Sequence, residues 1–203
     1  MATKYFVTFK NESKLPSVVQ FCIYQQYPAL PGLKSVAWKK AGAYIGGQAT
    51  VEWVITYAAV LSNYNDDGGT GIYASSQTIG AEFKDQFDVT DESGIQVVKK
   101  SGTSGQDGTI TIANKSKEKA NVGIGMDNAL SSVIPDVYGG VEEVFQITPT
   151  YFVAAYENLE IGQLISDVGI IGKPLTLQFP SGVTKATVRL IQDGQELSLN
   201  IEY

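Results

Sequence analysis

Thr8-Phe9-Lys10-Asn11-Glu12-Ser13 and Thr111-Ile112-Ala113-Asn114-Lys115-Ser116 read as the same event occurring twice. Each closes an alternating run with Asn-x-Ser and leads into a second run, Val19-Gln20-Phe21-Cys22-Ile23-Tyr24 in one place and Asn121-Val122-Gly123-Ile124-Gly125-Met126 in the other. Alternation at period 2 places successive side chains on opposite faces of an extended chain. An Asn side chain followed by a hydroxyl residue closes turns by bonding to nearby backbone. Both stretches therefore predict strand, polar turn, strand. The fold expected is all-β, an antiparallel β-sandwich in which residues 1–203 form one compact domain. Its candidate repeat halves are 1–100 and 108–203, joined by the Ser/Gly-rich residues 101–108.

Outward from these points the chain supplies short strands and no long helical period. In Thr50-Val51-Glu52-Trp53-Val54-Ile55-Thr56-Tyr57 the residues Val51, Trp53, Ile55 and Tyr57 share the expected core face, with Glu52 toward solvent. Residues 58–64 read as a brief coil stopped by Asn65-Asp66-Asp67-Gly68-Gly69. Ile72-Tyr73-Ala74 and Gln77-Thr78-Ile79 read as two short strands around a polar turn, and short helices fit near Leu61 or Leu130. Asp91-Glu92-Ser93-Gly94 and Gln192-Asp193-Gly194-Gln195 are hairpin connections, the Asp-Gly of the second supplying left-handed backbone.

Composition narrows the function. Fifteen Lys and Arg against 21 Asp and Glu leave a net charge of −6, which gives no footprint for a phosphate backbone, so nucleic acid is not an expected partner. The absence of histidine removes the usual neutral-pH base and every imidazole metal ligand. A lone Cys22 forms no internal disulfide, and the opening residues run into a strand without an apolar targeting stretch, so a cytoplasmic location is expected. No run approaches the roughly 18 apolar residues of a spanning helix, although a β pore built from hairpins leaves a weaker signal.

Each candidate site has an ordinary alternative. Asn11-Glu12-Ser13 and Asn114-Lys115-Ser116 match the sugar-acceptor pattern and also the turn chemistry above, which is the preferred reading. Asp66 and Asp67 place hard oxygen donors together as weak cation-site candidates without an EF-hand spacing, and Asp127-Asn128 with Asp136 form a second oxygen cluster. Cys22, within Phe21-Cys22-Ile23-Tyr24, reads as a packing residue. Tyr24, Tyr27, Trp38, Trp53, Tyr57 and Tyr64 concentrate rings in the first half. Such rings stack on sugars, enter lipid or anchor protein contacts, or else fill a core. Tyr24, Tyr27, Trp38 and Tyr64 are the contact residues selected, because they lie near Pro/Gly- or Asn/Gly-rich breaks.

Phe9-Lys10-Asn11-Glu12-Ser13, Phe21-Cys22-Ile23-Tyr24-Gln25, Tyr27-Pro28 and Pro31-Gly32-Leu33-Lys34-Ser35-Val36-Ala37-Trp38-Lys39 resemble the RhiA-like rhizosphere-expressed bacterial proteins. Val51-Glu52-Trp53, Gly71-Ile72-Tyr73 and Ser75-Ser76-Gln77 extend the resemblance, which is clearest over the first 80 residues. It implies a bacterial protein tied to plant-associated or community life, and it carries over no catalytic residue. The function expected is non-enzymatic: interaction with a protein partner or self-association as a homo-oligomer, with no cofactor. The alternatives are a membrane- or glycan-directed β module resembling a small cytolysin, and a carboxylate-based enzyme.

Overall fold

The computed structural model describes residues 3–28, 30–67, 70–166 and 169–203. The first half carries β1 (Lys4–Glu12), β2 (Val19–Gln26), β3 (Lys34–Ser35), β4 (Lys39–Ala43), β5 (Gln48–Val54), β6 (Tyr57–Asp67), β7 (Thr70–Ala81), β8 (Gln86–Glu92) and β9 (Ile95–Gly102). The second carries β10 (Thr109–Asn114), β11 (Ala120–Met126), β12 (Ala129–Val137), β13 (Glu142–Gln146), β14 (Thr150–Tyr156), β15 (Ile170–Leu177), β16 (Lys185–Asp193) and β17 (Glu196–Glu202). Among the described residues there is no helix, and the protein is all-β.

These strands form four sheets, ordered β17-β16-β1-β5, β15-β14-β2-β4, β13-β10-β8-β9 and β3-β12-β11-β6-β7. The expectation of antiparallel pairing throughout is corrected at two ladders, since β1 runs parallel to β16 and β10 parallel to β8. The physical reason is connectivity: these partners come from different halves of the chain, so no tight hairpin dictates their direction. The ladders come in matched pairs. β1 with β5, β2 with β4, β6 with β7 and β8 with β9 correspond to β10 with β13, β11 with β12, β14 with β15 and β16 with β17. The ladders joining the halves are reciprocal as well: β1 takes β16 while β10 takes β8, and β2 takes β14 while β11 takes β6.

Two hydrophobic clusters follow from this exchange. Phe9, Phe21, Trp53, Val153, Val188 and Leu190 belong to one, which draws on the first two sheets. Phe87, Ile110, Ile112, Val122, Ile124 and Phe145 belong to the other, which draws on the remaining two. Each sheet pair is thus built from both halves of the sequence. Apart from the short β3, which lies between β2 and β4 in the chain and pairs with β12, the chain crosses from the first pair to the second through Ile55-Thr56 and returns through residues 147–149.

The two Asn-x-Ser turns have the same construction. Asn11 Oδ1 accepts from Ser13 N at 3.1 Å and Ser13 Oγ at 2.6 Å, while its amide donates to Ala43 O at 3.1 Å. Asn114 Oδ1 accepts from Ser116 N at 3.0 Å and Ser116 Oγ at 2.7 Å, and its amide donates to Val137 O at 2.8 Å. Even the neighbouring turns match, with Gly46 N donating to Asn11 O at 2.7 Å and Gly140 N to Asn114 O at 2.6 Å. Both asparagines are 0 % exposed, so the folded chain offers neither as a sugar acceptor.

Four local expectations are corrected. Residues 58–64 lie within β6 rather than a coil, because Ala59 and Leu61 pack into one cluster while Ala58 and Val60 pack into another. Burial on both faces erases the alternation that would have marked a strand. The two short strands at 72–74 and 77–79 are one strand, β7, which absorbs Ser76 as a bulge between the pairs Leu61↔Gln77 and Ser62↔Ser75. Its hydroxyl donates to Leu61 O at 2.9 Å. Ile55 leaves the expected core face of its neighbours: β5 ends at Val54, Ile55 is 40 % exposed, and Tyr57 opens β6 in another sheet. Leu61 and Leu130 both sit in strands, β6 and β12.

A strap at residues 157–165 ties the sheet pairs together. Ala37 N donates to Gln163 O at 2.8 Å, Gly162 N to Ala37 O at 2.9 Å and Tyr73 N to Gly162 O at 2.9 Å. Gly162 has φ of +82°, and a Cβ there would fall 2.3 Å from Tyr73 O.

Candidate functional site

The four selected aromatics do not share one environment. Trp38 is 1 % exposed and its indole N–H donates to Met126 O at 2.8 Å. Tyr24 is 4 % exposed and stacks on Phe152 at 5.4 Å. Trp38, in the short link between β3 and β4, packs into the first cluster, and Tyr24 lies in β2, which is buried on both faces, so neither presents a contact surface. Tyr27 is half-buried and donates to Gln25 Oε1 at 2.6 Å. Burial pushes its hydroxyl pKa up, against a smaller opposing effect of the Ser131 hydrogen bond. Tyr64 is 48 % exposed and leans on Tyr73 at 4.9 Å.

Asp66 lies exposed near the tip of the β6–β7 hairpin, and the Asp67 side chain lies outside the described residues together with Gly68 and Gly69. Among the described residues no three Cys, Asp or Glu side chains gather as metal ligands. Asp127 pairs with Lys39 at 2.6 Å at the β11–β12 turn, whereas Asp136 lies at the far end of β12 with Lys119 at 3.9 Å.

The rings that converge are a different set. β1 and β5 are hydrogen-bonded neighbours in the register Tyr5↔Trp53, which stacks those rings at 5.7 Å. β14 pairs with β15 in the register Tyr151↔Leu177, and Phe179 follows two residues beyond. Phe179 meets Tyr5 at 4.9 Å and Trp53 at 5.9 Å, and Tyr151 meets Trp53 at 5.9 Å. Two sheets of the first pair thus supply the walls of a cavity of about 370 Å³, completed by Ile55 and Pro149 from the two crossovers and by Thr150, Thr176 and Gln178. Among the described residues no charged one lines it. Sequence reading missed it because Tyr151 and Phe179 lie about a hundred positions from Trp53 in the chain.

Two polar details mark this cavity. Trp53 is 2 % exposed and its Nε1–H makes no well-aligned hydrogen bond among the described residues. It lies beside the Tyr151 hydroxyl, which donates to Met126 Sδ at 3.3 Å. Burial pushes the Tyr151 pKa up, reinforced by Tyr57 and opposed by Trp53, so no phenolate forms there near neutrality. Cys22 has its thiol pushed up to about 12, chiefly by burial, which makes it inert as a nucleophile.

Across Ile55 lies a second hollow of about 570 Å³, whose lining includes Tyr57, Phe83, Asp85 and Lys100. Asp85 is 2 % exposed, accepts from Glu82 N at 2.9 Å and pairs with Lys100 at 2.7 Å. Burial works against its ionisation, but the Lys100 hydrogen bond and charge, with the Glu82 amide, together hold its pKa below the usual carboxylate value. Where this sheet pair has Lys100 opposite Phe87, the first pair has Ile201 opposite Val188. The two hollows therefore differ in chemistry, one uncharged and one holding an ion pair.

The RhiA family model matches residues 2–200 of the sequence. The chain belongs to the RhiA family. Protein RhiA of Rhizobium leguminosarum bv. viciae is 26% identical over 208 residues, covering 98% of this chain and 87% of that relative. The family match runs well past the first 80 residues and takes in both Asn-x-Ser turns and all four rings of the cavity. No solved structure matches the chain.

Proposed function

We propose that the protein is a binding protein without catalytic turnover, whose ligand enters the cavity between Tyr5, Trp53, Tyr151 and Phe179. The observation that carries this reading is the cavity itself: four ring walls, uncharged lining and a volume of about 370 Å³, within the range of small-molecule sites. The chemistry around it supports binding over reaction, since the hydroxyl of Tyr151 is held protonated and the Cys22 thiol lies buried elsewhere. In the same reading each sheet pair closes as a β-sandwich over its cluster, and the halves 1–100 and 108–203 are two copies of one unit. The reciprocal ladders support that reading. The free, buried Cys22 supports a reducing, cytoplasmic setting.

The test is calorimetric titration with small ring-bearing fragments. The native protein binds one fragment per chain, and Thr150→Phe, which plugs the mouth from an exposed position, weakens binding by about tenfold or more. Absence of any saturable binding, or consumption of the bound compound, would overturn the reading.

Self-association is a second reading, favoured by a separate observation. The equivalent turns after β4 and β12 each expose apolar side chains: Tyr44 at 70 % and Ile45 at 57 % in one, Tyr138 at 63 % and Val141 at 40 % in the other. Concentration-dependent sedimentation that disappears with Tyr44→Ser and Tyr138→Ser supports contact between copies. Monomeric behaviour of the native protein at every concentration removes it.

A further inference from the structure

We infer that the ligand of the aromatic cavity is a neutral saccharide. This rests on reading the cavity as a ligand site and adds the chemical class. Among the described residues the lining carries no charge, so an ionic ligand would lose hydration without gaining a counter-charge. Tyr5 and Phe179 line the cavity and are only half-buried, so part of each ring is open to the C–H faces of a sugar ring. Thr150, Thr176 and Gln178 are exposed at the mouth, giving two hydroxyls and an amide for hydroxyl groups of the ligand.

The open side decides between a sugar and an apolar ring compound. Thr150, Thr176, Gln178 and the 40 % exposed Ile55 leave a bound molecule with one side in water. A hydroxylated ring keeps that side hydrated, whereas an all-apolar ligand gains only from the part it buries. The indole N–H of Trp53, which makes no well-aligned hydrogen bond among the described residues, is a further polar group at the wall, close enough to the Tyr151 hydroxyl to act on it. A ligand hydroxyl that takes the Tyr151 proton from the weak Met126 Sδ acceptor leaves the phenol oxygen free to accept from Trp53 Nε1–H. The second hollow, with its Asp85–Lys100 pair, lacks this neutral lining and is not the saccharide site.

The chain has only two tryptophans, so the indole N–H signal of Trp53 in a nitrogen-15 correlation spectrum, assigned through backbone resonances, reports on the cavity directly. Maltose and cellobiose are the neutral probes, glucuronate and glucosamine the charged ones, and benzyl alcohol the apolar ring. Saturable movement of the Trp53 signal is expected with a neutral disaccharide and not with the charged sugars. The double change Thr176→Ala and Gln178→Ala, confined to exposed positions, is expected to weaken disaccharide binding by about tenfold. Titrating amylose beside maltose separates a polysaccharide chain end, bound equally per end, from a free sugar, bound better as maltose. Movement with benzyl alcohol alone, or tighter binding of a charged sugar, overturns the saccharide assignment while leaving the cavity a ligand site. No movement with any probe overturns both.

Discussion

Asn11 and Asn114 each concentrate a strand ending in one buried side chain. Oδ1 gathers a backbone amide and a serine hydroxyl, while the amide reaches a carbonyl of a neighbouring segment. Removing either side chain leaves those groups buried without partners, so Asn11→Ala and Asn114→Ala should each cost about 2–4 kcal/mol in urea unfolding. The Asn114 amide also donates to Glu118 O at 2.8 Å, so its cost should equal or somewhat exceed that of Asn11; a loss confined to one turn would count against their equivalence. At the same scale, Cys22, Tyr27 and Tyr151 set an alkaline limit. All three have pKa values raised by burial from ordinary values of 9.0 for the thiol and 10.0 for the phenols. Below pH 9 both folded and unfolded states hold these protons and nothing is lost. Above it the unfolded chain ionises while the folded chain does not, so the equilibrium shifts toward unfolding. The melting temperature should be level near neutrality and fall progressively above about pH 9, with Cys22→Ala delaying the onset.

Elements show why alternation is a partial guide. β5 follows it well: Trp53 is buried while Glu52 stays exposed and pairs with Lys4 at 2.9 Å. Trp53→Ala should therefore destabilise by about 3–5 kcal/mol and Glu52→Ala by no more than about 0.5 kcal/mol, measured by two-state unfolding. Comparable small effects would mean that Trp53 does not anchor the first cluster. The rule stops at Ile55, where the chain changes sheet and no local signal in Val54-Ile55-Thr56-Tyr57 announces the crossing. It is silent in β6, where apolar residues face two clusters at once. The strap is legible only in its glycine. Gly162→Ala adds a methyl group that meets Tyr73 O in a left-handed backbone, and it should lower thermal stability by several degrees. An unchanged melting temperature would show that the strap yields freely.

At the scale of the whole molecule, every long ladder between the halves has a reciprocal partner, so neither half completes a sheet pair alone. A fragment of residues 1–104 should fail to form a stable monomer, because β1, β2, β6 and β8 would each lack a neighbour supplied by the other half. Co-expression with residues 105–203 should restore the native fold, read by circular dichroism and by co-purification. An independently stable monomeric fragment would refute the interlocked arrangement. The all-β class, the two Asn-x-Ser turns and the inward position of Trp53 were settled by the sequence itself, because alternation, turn chemistry and ring size act over a few residues. Which halves exchange strands, the parallel direction of β1 against β16, and the meeting of Tyr5, Trp53, Tyr151 and Phe179 were decided only by tertiary structure. Those outcomes depend on pairings between distant segments, and an aromatic side chain carries the same local pattern whether it fills a core, as Trp38 does, or walls a cavity, as Phe179 does.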